Sequence, residues 1–434
     1  MMKKLIAFLV LTMFISKGFS QASENSANFL HEWNYTLTEA MVMDGFSPKL
    51  ASRTYTYPFI AAYEVLINGD KKYKSFQNQF NALKDLPKPD SSLKYNWDIA
   101  AIQAITIVGK KLVYREDMCD SLLKQQLGVL KPKTDAVVYA NSIEYGKQMA
   151  LAILKWAKAD SYAQTKALPA YIYTKAPGAW KPTPPEFRPA CEPNWGTLRP
   201  FVIKSVDDYR NPVPVKYSTD SSSEFYKLAK QVYDIDKNRT PEQTLIAKFW
   251  DDNPDLISFT GHNMVPRRQM SPGAHWMGIA KIICLNEKAS VLQTAETYSL
   301  VSVALADGFI SCFKEKYTSN FIRPVTFIQE NIDPDWISML VTPPFPEHPS
   351  GHSCISAAAA TVLTKLYGAN YKFTDSSEKE FGYEPRAFNS FLDAANESSI
   401  SRVYGGIHFM TGVDGGATQG KAIGKYIVEN IHTR

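Results

Sequence analysis

Cysteine is scarce in this chain: five in 434 residues, an odd number with no close pair. Cys119, Cys191, Cys284, Cys312 and Cys354 are scattered, which excludes the paired spacing of a zinc site and makes buried free thiols the expectation. Charge of one sign is lacking too. Forty-eight Lys and Arg face 43 Asp and Glu, too even a balance for a nucleic-acid surface. Beyond the first fifteen residues no apolar run approaches the ~20 residues that a membrane helix needs. Period-2 strands and fixed-period repeats are missing, which argues against a large sheet and against a solenoid. What is present is a heavy apolar and aromatic load, 45% hydrophobic residues with 23 Tyr, 23 Phe and 8 Trp. A chain of this size and composition builds a large core, as two or three ordinary domains or one large helical one.

The first twenty residues have the layout of a cleaved secretory signal. Lys3 and Lys4 give a positive start, Leu5–Ile15 is apolar, and Gly18 and Ser20 supply small residues at a cleavage site. As a helix that apolar stretch reaches about 16 Å, short of the ~30 Å hydrocarbon core, so a permanent span is not expected. Cleavage after residue 20 would also remove Lys17, and 48 basic residues less three leave 45 against 43 acidic ones. The mature protein is therefore expected to be exported, secreted or periplasmic, with no stable membrane span and no affinity for nucleic acid.

Most of the remaining chain reads as helix. Phe29, Leu30, Trp33, Leu37 and Met41 recur at helical spacing, and Ser47-Pro48 has the form of an N-cap followed by proline, opening a helix to Leu66. Further helices are expected over about 95–114, 135–158, 222–234, 240–251, 290–317, 353–367, 386–397 and 416–431. One stretch differs. Ten of the 26 prolines lie between Pro169 and Pro214, a density that removes amide donors and blocks helix. The same stretch holds Trp180, Phe187, Trp195 and Phe201, which suit a strap packed over helices better than a flexible linker. The expected organisation is all-α: helical bundles formed by an N-terminal part (21–168), the irregular strap (169–216) and a C-terminal part (217–434) that carries the chemistry.

Three short stretches in the last 120 residues make that chemistry readable. They are Lys316–Pro324 (KYTSNFIRP), Pro349–His352 (PSGH) and Ser401–His408 (SRVYGGIH). Pro324 disfavours helix at Arg323, so the helix bearing Lys316 should end between them, with the lysine in a last turn that suits a cation. Ser350 is a natural N-cap for the helix SCISAAAATVLTKLYG, whose first amides from Gly351 onward have no intrahelical partner. Such a helix start binds tetrahedral oxyanions, and Gly351 permits close approach. Arg402 adds a planar fork for two oxygens. A histidine side chain ordinarily titrates near neutrality, so His352 and His408 suit acid–base, nucleophilic or ligand roles. His31, His262, His275, His348 and His432 stand outside the motifs and are expected to be ordinary packed or solvated residues.

In order and spacing these stretches resemble the signature shared by vanadium-dependent haloperoxidases and the type 2 phosphatidic acid phosphatase superfamily. The resemblance implies an oxyanion site made of Lys316, Arg323, Ser350, Gly351 and Arg402. It also implies catalytic roles for His352, His408 and Lys316, with His408 either attacking phosphorus or ligating vanadium. Vanadate and phosphate are tetrahedral anions of similar shape, and a pocket complementary to five-coordinate phosphorus also suits vanadate.

Features outside the motifs favour the haloperoxidase side. TPPFPEHPSGH over 342–352 is typical of it, as is ADGFISCFKEKY ahead of Lys316. Weaker similarity extends over WNYTLTEAM, FWDDNP and the strap. Phe345 falls where fungal chloroperoxidases and bacterial iodoperoxidases carry Phe, and with Phe313 it is the expected halide pocket. Two departures stand out. Phe313 occupies a position where several haloperoxidases have Trp, and Gly412 occupies one where the family often has an Asp that orients the histidine; Asp414 or a backbone carbonyl is the expected substitute. The expected activity is oxidation of iodide or bromide, rather than chloride, by hydrogen peroxide with vanadate as cofactor. The alternative is an exported acid phosphatase acting on a phosphomonoester through a phosphohistidine, with no cofactor.

Overall fold

The computed structural model describes residues 27–254, 257–260, 262–266 and 268–434. The signal-like segment 1–20 lies outside the described residues. The chain forms helices α1 (Asn28–Met43), α2 (Pro48–Leu66), α3 (Trp97–Lys110), α4 (Glu116–Leu130), α5 (Ala136–Lys158) and α6 (Tyr162–Thr165). After the proline-rich stretch come α7 (Glu224–Lys237), α8 (Pro241–Phe249), α9 (Pro272–Asn286), α10 (Val291–Ser319) and α11 (Pro324–Asn331). The last three are α12 (Gly351–Tyr367), α13 (Phe391–Tyr404) and α14 (Met410–Asn430).

Strands are few. Ile257–Thr260 (β1) pairs antiparallel with Asn263–Pro266 (β2), and Phe373–Asp375 (β3) with Arg386–Phe388 (β4). The second hairpin corrects the expected helix over 386–397. Arg386–Phe388 pairs as a strand, Ser390 then caps the next helix by accepting from the Asp393 amide at 3.0 Å, and α13 runs on to carry Arg402 in its last turn. The last helix likewise starts at Met410, earlier than residue 416. Its glycines sit where α14 presses on α12: a Cβ on Gly416 would lie 2.4 Å from Ser350 O, and one on Gly420 would lie 1.9 Å from Cys354 O. Close contact between two backbones, rather than chain reversal, explains the Gly-rich run.

The central element is α10, buried on nearly every face from Leu292 to Lys316 and packed against α2, α9, α12 and α14. One apolar core runs through both halves of the chain, from Trp33 and Tyr57 to Ile355 and Ile423. Residues 169–216 add only short 3-10 turns and are stitched to α10. Asp307, buried in mid-helix, accepts the amides of Phe201, Val202 and Ile203 at 2.6, 2.8 and 3.0 Å. Burial pushes its carboxyl up to about 6, against the pull of those three amides. Trp180, Trp195 and Phe201 are buried, whereas Phe187, expected to pack inward with them, is 61% exposed. All five cysteines are free. Among the described residues no helix is long and apolar enough to cross a membrane.

Candidate active site

The local rules place the motif residues as their sequence suggests. Asn320, in the left-handed region at φ 47°, ends α10 one turn after Lys316, and Arg323 in extended geometry precedes Pro324 at the start of α11. Ser350 caps α12, its Oγ accepting the Ser353 amide at 3.3 Å and the Ser353 hydroxyl at 2.9 Å. The turn after α13 passes through Gly406 at φ 77°, which turns the chain back so that His408 faces α12 just before α14 begins.

These elements converge on a cavity of ≈ 50 Å³, lined among others by Lys49, Asp252, Phe313, Phe345, Gly351, His352, Arg402 and His408. Drug-sized ligands use pockets of roughly 300–1,000 Å³, so the space suits small ions and peroxide. Lys316 and Arg323 are fully buried behind Phe345, with Lys316 Nζ 5.0 Å and Arg323 Cζ 5.1 Å from its ring centre. Lys316 donates to Pro346 O and Glu347 O at 3.0 and 2.9 Å. Arg323 donates to Phe345 O and Ile407 O at 2.9 and 2.8 Å. Arg402 is held by Ser401 Oγ at 2.9 Å and by the carbonyls of Trp250 and Asp251.

His408 sits between two charged groups. Its Nδ1 meets Glu347 Oε1 at 2.6 Å, and its Nε2 lies 3.1 Å from Arg323 Nη1. A guanidinium only donates, so Nε2 must carry the lone pair and Nδ1 the proton. Burial, together with Arg323, Lys316 and Arg402, holds His408 well below the usual histidine range. It is a neutral imidazole whose basic nitrogen points among cations. The orienting carboxylate is therefore Glu347. Asp414 does not supply it; it is exposed on α14. Gly412 explains the exchange, because a Cβ there would come within 2.0 Å of Glu347 Oε1.

Burial dominates the electrostatics of this side. It pulls Lys316 down to about 7 and Arg323 to about 10, and pushes Glu347 up to about 7. His352, its side chain 17% exposed, is held well below its usual range by burial, Arg402 and His275. Arg323 Nη2 and His352 Nε2 are buried without a hydrogen-bond partner. Converging cations, the spare donor Arg323 Nη2 and the free amides that begin α12 fit a small oxyanion.

On the far side of His352 lies an arrangement that the sequence did not disclose. His275 is completely buried, with Nδ1 3.0 Å from Asp252 Oδ1 and Nε2 2.8 Å from Asp375 Oδ2. Burial works against its charge, but Asp252 and Asp375 outweigh it and hold His275 well above the usual range. Glu378, 3.5 Å from Nδ1, is pushed up to about 9 by burial and by those aspartates. Asp252, His275 and Glu378 bring ligand atoms within 4.8 Å of one another. Two ring nitrogens that both face carboxylates nevertheless mark a doubly protonated imidazolium, which has no lone pair for a metal. His275 is thus no ordinary packed histidine: Asp252 joins it to the site, 4.0 Å from His352 Nε2. His348 and His31 do conform to expectation, bound to Asn211 O and to the Tyr298 hydroxyl at 2.6 Å each.

Glu347 had a visible signal, an acid inside the proline-rich string that precedes PSGH. His275, Asp375, Glu378 and Lys49 had none, because each meets the site from a distant part of the chain.

The family model for the VCPO second helical-bundle domain matches residues 296–434. The vanadium chloroperoxidase of Curvularia inaequalis is 24% identical over 207 residues, 42% of this chain and 33% of that protein, so the match spans about a third of its length. The crystal structure of the first bacterial vanadium-dependent iodoperoxidase matches with a TM-score of 0.89 and 39% identity, covering 95% of this chain and 98% of the other. A holo-type bacterial vanadium-dependent chloroperoxidase matches at a TM-score of 0.66 and 16% identity over 89% of this chain and 94% of the other, a likeness of fold.

Proposed function

The chain belongs to the vanadium-dependent haloperoxidase family, and we propose that within it this is an exported enzyme that oxidises iodide or bromide with hydrogen peroxide. The N-terminal segment supports export, to the periplasm or beyond. The observation that carries the assignment is the state of His408: neutral, with Nδ1 held by Glu347 and Nε2 directed among Arg323, Lys316 and Arg402.

In this reading His408 Nε2 would hold vanadium, with Glu347 fixing the tautomer. Arg323, Lys316 and Arg402, with the Ser350 hydroxyl and the amide of Gly351, would neutralise and orient the oxyanion's oxygens. Vanadate held there would supply Lewis-acid chemistry toward hydrogen peroxide. The net reaction joins halide, peroxide and one proton into hypohalous acid and water, so a proton must be delivered. His352 fits that task, because it borders the cavity and has an unpartnered Nε2. Burial and, after it, the cations nearby depress its basicity, and a bound anion would offset the cations. Phe313 and Phe345, 5.1 Å apart, give the halide an apolar wall that suits large, polarisable iodide and bromide better than chloride.

Titration of the apo-protein with orthovanadate, followed by peroxide and iodide, tests this. Saturable, vanadate-dependent turnover is expected, with loss of roughly a thousandfold or more in His408→Ala, the scale set by removing a catalytic group that acts with others. Turnover of p-nitrophenyl phosphate with no vanadate-dependent halide oxidation at any pH would replace the assignment with phosphatase chemistry.

A further inference from the structure

Lys49 is a buried ammonium that none of the motifs contains. It lies in the first turn of α2, in the N-terminal part of the chain, and is 1% exposed. A first helical turn favours acids, yet that of α2 has none and carries this cation instead. Among the described residues no carboxylate forms an ion pair with it; its one hydrogen bond runs to Cys191 Sγ at 3.3 Å. Its Nζ stands 4.7 Å from the centre of the Phe313 ring and 5.1 Å from that of Phe345, and it borders the cavity.

A desolvated lysine at a helix start is costly on two counts unless an anion answers it. Cation–π contact with two phenyl rings and one soft thiol offset part of that cost. These neighbours also describe what the missing anion should be. They offer one charge, polarisable walls and no array of oxygen-directed donors, which fits a monatomic, weakly hydrated anion rather than an oxyanion. The oxyanion donors are other groups around the same cavity: Arg402, the start of α12, and Arg323 on the same Phe345 ring. We propose that Lys49 and the rings of Phe313 and Phe345 form the halide subsite, with Lys49 setting affinity for iodide and bromide. The proposal rests on the halide-oxidising assignment, and it gives the N-terminal part a direct share in the site.

Two measurements test it. In bromide-soaked crystals of the wild-type protein, anomalous density is expected against Lys49 Nζ and both rings. Density at the α12 start instead, or none at all, would overturn the subsite without reference to activity. In kinetics, Lys49→Met should raise the iodide KM by about tenfold or more while kcat and orthovanadate affinity stay within about twofold, the pattern of a lost substrate-binding contact. Lys49→Arg, which keeps the charge, should recover most of the KM and serves as the folded control. An unchanged KM in Lys49→Met refutes the proposal, and a parallel loss of vanadate affinity assigns Lys49 to the oxyanion instead. Wild-type protein with no vanadate-dependent turnover would defeat the assignment itself, and the bromide density would still decide the subsite.

Discussion

Two buried histidines near the cavity are held in opposite electrical states. His408 lies among Arg323, Lys316 and Arg402 and is neutral; His275 lies between Asp252 and Asp375 and is charged. The side chain and the degree of burial are the same, so the neighbours decide. On the His408 side the cations exceed the acids. On the His275 side the charges answer one another inside the protein. In the proposed reading the first arrangement serves an anion and the second serves rigidity. His352 stands between them, near both Arg402 and Asp252.

The contrast is broken most severely at His275. His275→Ala leaves Asp252 and Asp375 buried without their cation and should cost about 3–5 kcal/mol of folding stability, the usual penalty for breaking a buried pair. His408→Ala should cost about 1 kcal/mol, an average substitution, while abolishing activity. Urea denaturation of both variants measures the difference, and equal losses would erase the distinction drawn here.

A smaller effect separates the two sides through binding. Arg402→Ala and Lys316→Ala should each weaken orthovanadate binding by about 1.5–3 kcal/mol, the range for hydrogen bonds to charged groups. Calorimetric titration of the apo-protein provides the numbers. Unchanged affinity in both would remove these cations from the oxyanion's reach.

The smallest effect, and the sharpest discriminator, is pH. Lys316 titrates at about 7 in the free protein, so its charge is complete below that pH and is lost above it. A bound oxyanion favours the charged form, so above pH 7 binding must take up a proton and affinity falls, by at most about tenfold per unit. Glu347, pushed up to about 7, gains negative charge over the same range and acts in the same direction. His275 behaves differently. Its folded pKa is raised, so its stabilisation is complete below the unfolded value near 6.5 and is lost only as pH rises through the much higher folded one. Calorimetry at pH 8 in buffers of different ionisation heat should reveal the uptake on binding; its absence would place the proton balance elsewhere.

What could be read from the sequence follows the range of the interactions. Ser350 as a cap, the break between Lys316 and Arg323, and the helix start at Gly351 are decided by neighbours a few residues away, and they stand where local rules put them. The start of α13 was misplaced because Arg386–Phe388 takes its conformation from a partner strand, Phe373–Asp375, outside any local window. Glu347 reaches His408 across 61 positions and His275 reaches Asp375 across 100, so neither pairing leaves a periodic trace. Gly412 was legible as a departure but not as a solution. Its meaning appears only when Glu347 is seen in the space that a side chain would fill.

That shared space makes two distant positions depend on each other. A substitution that introduces a carboxylate at Gly412 collides with Glu347 unless the latter shortens at the same step. Because Lys316 Nζ rests on the carbonyls of Pro346 and Glu347, an exchange at that place also shifts the anchor of a cation. Engineering aimed at this histidine should therefore treat both positions, and the proline-bounded segment between Phe345 and Ser350, as one cassette.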